Sequence, residues 1–170
     1  MTDRPRARFE DQPTAPLAVQ IQSHALALDM NLDGVSHADS LIQPPAGNCI
    51  NWVLGHVVAS RNGLLGLVER APVWDDALAE RYLRGSEAIG GEGDGVLGFD
   101  RIVADFRSSQ QPLLEGLGAL SVEQLAEPAE LFGRPMDRMS KLSFLVFHEG
   151  YHLGQLGLLR RLLGKPGGIA

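Results

Sequence analysis

The chain has 170 residues, and its 15 Lys and Arg against 21 Asp and Glu give a formal net charge of −6. This length suits one domain of ordinary size, which can bury a core without disulfides or a structural metal ion. Nucleic-acid-binding proteins usually present a basic surface. The acidic balance and the lack of a Lys/Arg cluster therefore argue against a nucleic-acid partner.

Features that report on compartment point to the cytoplasm. The sequence contains a single cysteine, Cys49, which cannot form an internal disulfide and is typical of a reducing compartment. Arg4, Arg6 and Arg8 lie near the start, but no apolar region of a signal peptide follows them. No apolar run approaches the roughly 20 residues that a membrane span requires. We therefore expect a cytoplasmic protein with no membrane partner.

The first helix is predicted to follow a flexible arm. Residues 1–15 are polar and contain two prolines, which is typical of a loose terminal segment. From Pro16, apolar residues recur at helical spacing until Gly34 ends the pattern. His24 lies on the apolar face of this helix. A hydrogen-bonded core histidine is the simplest interpretation, and a group that supports a metal ligand is the alternative.

The second predicted helix is the most apolar of the chain. It follows a connection over residues 35–47, in which His37 is expected to be an exposed loop residue. Asn48 is the predicted N-cap, and the helix extends to about Glu69. Because this helix is apolar on nearly all sides, it should lie centrally or at a subunit interface. His56, in its middle, should therefore be shielded from bulk water.

The middle of the chain is less regular. Residues 72–83 are compatible with a short helix, whereas residues 85–98 are acidic and rich in glycine. No P-loop pattern is present, so this stretch predicts a flexible linker and not a phosphate-binding loop. A third amphipathic helix begins at Phe99 and reaches about Leu117, and Pro112 predicts a kink or a break within it.

Two further signals precede the last helix. Ser121 and Gln124 have the spacing of a capping box, which predicts a single helical turn. Residues 126–139 contain prolines and a glycine and predict a loop. Ser140 is then the predicted cap of a last helix that ends near Leu163.

These elements define one domain. It covers residues 16–164, and residues 165–170 form a short tail. No stretch shows sustained β-branched alternation, and four long helices with medium or long connections are typical of a four-helix bundle. The predicted fold class is therefore all-α.

The last predicted helix contains His148-Glu149-Gly150-Tyr151-His152, which matches the H-E-x-x-H pattern of zinc metalloproteases. Residues four apart on a helix lie about 40° apart around its axis, so the two histidines share one face. They stand where the apolar pattern calls for leucine. Burying an imidazole is unfavourable unless its nitrogens find partners. A shared metal ion would provide one, and a hydrogen-bonded histidine pair in the core is the alternative.

The residues after this motif disfavour a protease assignment. Metalloproteases of this kind need a downstream ligand, but Gln155 and Leu158 stand where the extended motif has Gly and His. No His, Asp or Glu comes after His152. Glu149 lies about 80° from the shared direction of the two histidines, so its role as a general base stays open.

The third metal ligand is therefore expected upstream. His56 is the best-placed candidate, because side chains on facing helices of a bundle can build a metal site in the core. Three histidine ligands would leave a fourth coordination position open, which is the catalytic rather than the structural arrangement. Water or a substrate thiolate or oxygen could bind there.

Four more residues are candidates for the walls of a pocket. Trp52, one turn before His56, could form a pocket floor, although a core tryptophan is the commoner explanation. Cys49, a further turn earlier, could be a reactive thiol, but an inert buried cysteine is the better interpretation. Tyr151 and Gln155 flank the histidine pair and could hydrogen-bond a metal-bound ligand or a neighbouring helix.

Two segments carry a resemblance to a known family. N-W-V-L-G-H-V around His56 and F-H-E-G-Y-H-L-G-Q-L-G-L-L-R-R at residues 147–161 resemble the DinB/YfiT-like superfamily of metal-dependent enzymes. The resemblance covers the chain from the first helix to Arg161. It implies an up-down-down-up four-helix bundle, often a homodimer, with a divalent ion held by His56, His148 and His152. Zinc or nickel is the expected cofactor, and iron, manganese or copper can also bind imidazole.

The resemblance also suggests a reaction class. Characterised members of the family include thiol S-transferases and a mycothiol-dependent isomerase. The expected function is therefore a hydrolase or thiol S-transferase that acts on a small molecule, such as a low-molecular-weight thiol. A non-catalytic, metal-binding or ligand-sensing dimer is the alternative, and the metalloprotease is the third.

Overall fold

The computed structural model describes residues 12–168. In chain order, these residues form α1 (Ala15–Leu32), α2 (His37–Ser40), α3 (Ile50–Leu67), α4 (Asp76–Glu80), α5 (Phe99–Ala119), α6 (Val122–Leu125), β1 (Pro128–Leu131), β2 (Arg134–Asp137) and α7 (Arg138–Leu162). The predicted all-α, four-helix fold class is confirmed. The predicted arm lies outside the described residues except for its last four positions, as do the last two residues of the tail.

The long helices α1, α3, α5 and α7 pack in a ring. Helix α7 contacts α1 and α3, and α5 contacts the same two helices. The hydroxyl of Thr14, beside the start of α1, donates to the Leu117 carbonyl near the end of α5 at 2.8 Å. Arg160, near the end of α7, donates to the Asn31 carbonyl near the end of α1 at 3.3 Å. Helix α1 is therefore antiparallel to α5 and parallel to α7.

The remaining two pairs complete the topology. His56 in the first half of α3 lies beside His152 in the second half of α7, with ring centroids 4.7 Å apart. At the other end of α3, Val68 contacts Gly116 near the end of α5. Helix α3 is thus antiparallel to α7 and parallel to α5, which gives the up-down-down-up bundle.

Two apolar clusters fill the bundle. One includes Leu28, Leu54, Phe106 and Leu156, and the other includes Ile21, Leu64, Leu113 and Val146 among its members. Helix α3 contributes to both and buries most of its residues, which confirms its predicted central position. None of the helices within residues 12–168 is long and apolar enough to span a membrane.

A polar layer separates the two apolar clusters. It consists of His24, Arg61, Ser109 and Glu149, so each long helix supplies one residue. Arg61 is 0% exposed and forms two parallel bonds to Glu149, from Nε to Oε2 and from Nη2 to Oε1, each at 2.7 Å. Its Nη1 donates to Ser109 Oγ at 2.7 Å. The Nδ1 atom of His24 lies 3.0 Å from Glu149 Oε1.

The Glu149 carboxylate is ionised in this layer. Burial raises its pKa, but the Arg61 charge and the hydrogen bonds from Arg61 and His24 outweigh that effect and hold the pKa at about 2, against an ordinary 4.5. Because the folded pKa is the lower one, the ion pair stabilises the fold above pH 4.5. That contribution is lost as the pH falls toward about 2.

Several boundaries differ from the sequence-based expectation. The connection over residues 35–47 contains one helical turn, α2, because Ser36 and Asp39 form a capping box. His37 is part of this turn and accepts a hydrogen bond from the Phe99 N–H at 3.1 Å, so it is not a simple loop residue. The N-cap of α3 is Cys49 and not Asn48, since Cys49 has the extended backbone of a cap residue.

Residues 85–98 pack against the bundle and do not form a flexible linker. Ile89 is 1% exposed. The Leu97 N–H donates to the Tyr82 hydroxyl at 2.8 Å, and the Leu97 carbonyl accepts from Asn51 Nδ2 at 2.9 Å. A few apolar and backbone anchors therefore order a segment whose composition suggested disorder.

Helix α5 continues through Pro112 without a break. The proline removes the N–H that would have paired with the Ser108 carbonyl. Ser108 is exposed, so water can satisfy that carbonyl. In contrast, the capping box of Ser121 and Gln124 forms as predicted and begins α6.

The predicted loop over residues 126–139 is a β-hairpin. Strands β1 and β2 pair antiparallel around Phe132 and Gly133, whose φ angles are +53° and +74°. Two consecutive positive φ angles are typical of the tight turn that suits strand twist. Helix α7 also starts at an earlier residue than expected, directly after the hairpin. Asp137 is its N-cap and accepts a hydrogen bond from the Ser140 N–H at 2.7 Å, so Ser140 is not the cap.

Gly55 in α3 provides a test of packing. A Cβ atom at this position would overlap the buried Tyr82 ring. We expect Gly55→Ala to lower the free energy of unfolding by about 1–3 kcal/mol, because the ring and the segment it anchors must move. Urea denaturation measures the change. Gly66→Ala is the matched control, since no atom lies within 4 Å of its Cβ position. It should be neutral or stabilising by up to about 1 kcal/mol, and equal losses in both variants would contradict the packing argument.

Arg61→Met tests the polar layer. We expect a loss of about 3–5 kcal/mol at neutral pH, because Glu149 would be left as a buried, unpaired charge. The double variant Arg61→Met/Glu149→Leu should recover most of this loss. Without Arg61, burial dominates and raises the Glu149 pKa, so the deficit of the single variant should narrow on acidification. Urea denaturation at several pH values would contradict this account if the deficit were constant or the double variant were no more stable.

Candidate metal centre

Three imidazole rings meet between α3 and α7. His56 projects from α3, and His148 and His152 project from one face of α7, one turn apart. One potential ligand nitrogen from each ring lies within 4.8 Å of the others. The Nε2 atoms of His148 and His152 are 3.1 Å apart. Because nitrogen ligands of a tetrahedral zinc ion stand roughly 3.4 Å apart, this spacing suits a single ion.

Second partners orient two of the three rings. The His56 Nδ1–H donates to the Tyr82 carbonyl at 2.8 Å. The His152 Nδ1–H donates to Gln155 Oε1 at 2.7 Å, so Gln155 orients the ring from the next turn of α7. In this tautomer each Nε2 presents a lone pair. Histidines that bind metals generally donate their other N–H in this way.

His148 shows that the protein alone does not satisfy this cluster. Its Nδ1 is buried and has no hydrogen-bond partner within residues 12–168. Its Nε2 faces the Nε2 of His152, which already presents a lone pair. Buried polar atoms without partners are rare and often mark a bound ion or a functional group. The donor set therefore fits a cation.

The electrostatics of the three rings also suit metal binding. Burial is the main cause that lowers the pKa of His56, His148 and His152 below the ordinary 6.5. Neighbouring histidines lower it further, because one protonated ring disfavours protonation of the next. The rings are consequently neutral near pH 7, which is the form that binds metals.

Trp52 is fixed against this group. Its ring stacks on that of His56 with centroids 5.0 Å apart and planes only 8° from parallel. Its Nε1–H donates to Ser86 Oγ at 2.9 Å, which fixes the far edge of the indole. Trp52 therefore holds the His56 ring in place, and it also lines the adjoining cavity.

The three histidines lie in the wall of a cavity of about 680 Å³. Helices α3 and α7 form two sides, Leu83 and Arg84 belong to a third, and the tip of the hairpin contributes Leu131 and Phe132. The lining is largely apolar and includes no Asp or Glu from residues 12–168. A cavity of this size and character is typical of small-molecule sites.

The other predicted site residues lie outside this cavity. Glu149 follows His148 but points into the polar layer, where Arg61 and His24 engage its oxygens. His24 thus supports Glu149 and does not contact the three rings in the manner of a ligand. These two residues belong to the polar layer of the bundle, beside the candidate metal centre.

Cys49 and Tyr151 also stand apart from the cavity wall. Cys49 is 0% exposed, and burial raises the pKa of its thiol, so it has the properties of an inert core cysteine. The Tyr151 ring is exposed on the outer side of α7, although its centroid is 5.2 Å from that of His152.

Sequence reasoning missed three residues of importance here: Arg61, Arg84 and Phe132. Arg61 is the one charged residue between Ile50 and Val68 in an otherwise apolar helix, a signal that indicates a buried ion pair. Phe132 was hidden in a segment interpreted as a loop. For Arg84, no local signal distinguishes it from other charged residues.

Comparison with known proteins agrees with this architecture. A crystal structure described as a conserved protein from Enterococcus faecalis superposes with a TM-score of 0.71 at 16% sequence identity, covering 91% of this chain and 99% of that one. At this identity the likeness concerns the fold. No curated protein is significantly similar to this chain. The family model described as the DinB superfamily matches residues 6–156, and the chain therefore belongs to the DinB superfamily.

Proposed function

We propose that this protein binds one divalent metal ion through His56, His148 and His152 and is a metal-dependent enzyme acting on a small molecule. The observation that carries the proposal is the convergence of three neutral imidazoles in the wall of a large apolar cavity. Membership of the DinB superfamily agrees with it. Zinc and nickel are the preferred ions, since imidazole suits both, and iron, manganese and copper are alternatives.

The reaction we favour is hydrolysis or transfer to a low-molecular-weight thiol. An ion with three protein ligands keeps an open position and can lower the pKa of water or bind a thiolate. The chain's own residues provide the setting: Tyr82 and Gln155 orient the rings of His56 and His152, Trp52 stacks on His56, and the cavity wall is largely apolar. These roles require no carboxylate beside the ion.

This geometry does not suit a carboxylate as general base. A general base works best when its pKa is near the working pH. The pKa of Glu149 is about 2, and both of its oxygens are engaged by Arg61. Our proposal therefore gives Glu149 a structural role, and it leaves the metalloprotease as the third alternative.

A non-catalytic sensor is the second candidate. It is favoured by the cavity wall, where no carboxylate or cysteine among the described residues accompanies the three histidines. In that case the ion and cavity would bind a ligand without turnover. Either function is compatible with a homodimer, which is supported by the exposed Phe147, Leu158 and Leu162 on α7. We also propose a cytoplasmic location, in line with the single, buried cysteine.

Metal analysis tests the proposal. Protein loaded with zinc or nickel at neutral pH and then dialysed should retain about one ion per chain, measured by elemental analysis. His148→Ala should retain far less, while its circular dichroism stays that of a helical bundle. His37→Ala is the control, because His37 lies outside the cavity, and it should bind like the wild type. A wild-type protein that retains no ion would overturn the proposal.

Turnover separates the enzyme from the sensor. With a low-molecular-weight thiol and an aromatic chloride as model electrophile, an S-transferase should form the thioether and release chloride and a proton. The rate should depend on the ion and be absent in His148→Ala. Metal binding without turnover of thiol or ester substrates would favour the sensor.

A further inference from the structure

The charge of the cavity wall beside the histidines bears on which ligands the cavity can bind. Within residues 12–168, no Asp or Glu lines the cavity. The one carboxylate adjacent to the centre in sequence, Glu149, is turned inward and neutralised by Arg61. A divalent ion on three neutral imidazoles would therefore keep its full charge inside the cavity. The wall disfavours cations and favours an anionic ligand.

Arg84 adds a fixed positive charge to this wall. Apart from the histidines, it is the single ionisable residue that the described part of the chain contributes to the lining. Within residues 12–168, its guanidinium has no ion-pair partner, whereas Arg101 and Arg107 on the surface of α5 pair with neighbouring aspartates. Guanidinium groups bind carboxylates and similar anions through their fork of donors. Arg84 is thus available to a ligand.

The tip of the hairpin adds an apolar, aromatic surface to the cavity wall. Phe132 is 76% exposed and has a φ of +53°, a conformation that L residues other than glycine rarely adopt. Packing in the core does not explain a phenylalanine there. Its ring meets that of Phe144 edge to face, with centroids 5.8 Å apart, and both rings line the cavity. This aromatic pair offers a surface to a flat apolar group.

We propose that the cavity binds a small organic anion with an aromatic body, whose anionic group pairs with Arg84 and whose ring packs on Phe132 and Phe144. This inference deepens the proposed function, since it names the substrate class of the same site. It rests on the cavity as the substrate site, but its two recognition elements belong to the protein and not to the ion. Neutral analogues should therefore bind more weakly, with or without metal.

A matched pair of fluorescent probes tests the anionic group. Dansylglycine carries a carboxylate, and dansylglycinamide is its neutral counterpart of nearly the same shape. In fluorescence titrations of the full-length protein, dansylglycine should bind at one site and about fivefold more tightly than the amide. Arg84→Gln should abolish this preference in the metal-free protein, reduce it in the metal-loaded protein, and leave amide binding unchanged in both. Arg107→Gln, which removes an equal charge elsewhere on the surface, should preserve it.

The aromatic body is tested with a second pair of variants. Phe132→Ala should weaken both probes about tenfold, because it removes the apolar surface they share. Leu26→Ala is the control, as Leu26 is an exposed apolar residue of α1, a helix that contributes no residue to the cavity lining. Equal effects of the two substitutions would show that the probes bind elsewhere and would overturn the assignment.

All titrations are made with the metal-loaded protein and again after removal of metal with a chelator. The Arg84 and Phe132 effects should appear in both forms. Failure of the proposed metal centre would show in elemental analysis and would leave these effects intact. Equal affinity for the acid and the amide, or binding of neither probe, would overturn the inference even if the protein holds its ion.

Discussion

The buried ion pair between Arg61 and Glu149 is the interaction on which the rest of the structure depends. Two charges are removed from water at the centre of the bundle, and this is tolerated because their two parallel hydrogen bonds, Ser109 and His24 satisfy the remaining donors and acceptors. Apolar contacts are not directional, whereas a buried charge pair requires a specific geometry. The pair therefore contributes strongly to the relative position of α3 and α7.

That position is what brings the histidines together. His56 lies five residues before Arg61 on α3, and His148 directly precedes Glu149 on α7. Once Arg61 and Glu149 meet, the next turns toward the other end of the bundle place His56 beside His148 and His152. In this motif, which resembles a metalloprotease signature, the histidines thus face the cavity, while the glutamate anchors the helix.

The inward position of Glu149 also explains the charge distribution around the candidate metal centre. Because Glu149 is part of the polar layer, no carboxylate of residues 12–168 shares the cavity with the three neutral rings. The hairpin and the segment after Tyr82 then close the sides with aromatic and aliphatic groups and one arginine. A largely apolar wall with a positive side chain favours anionic ligands, since unlike charges attract.

The local sequence pattern was sufficient to predict the long helices, the capping box at Ser121 and His56 as the partner of the C-terminal histidine pair. Helical periodicity and burial can be predicted from residues that are near one another in the sequence. Other features depend on contacts between distant parts of the chain. Glu149 gained its role from Arg61, 88 residues away. The hairpin has strands of only four residues, too short to be stable or recognisable alone, and it forms because it packs against α7. The sequence by itself therefore determined the bundle and its histidines, whereas only the tertiary structure decided which way Glu149 points and what walls the cavity has.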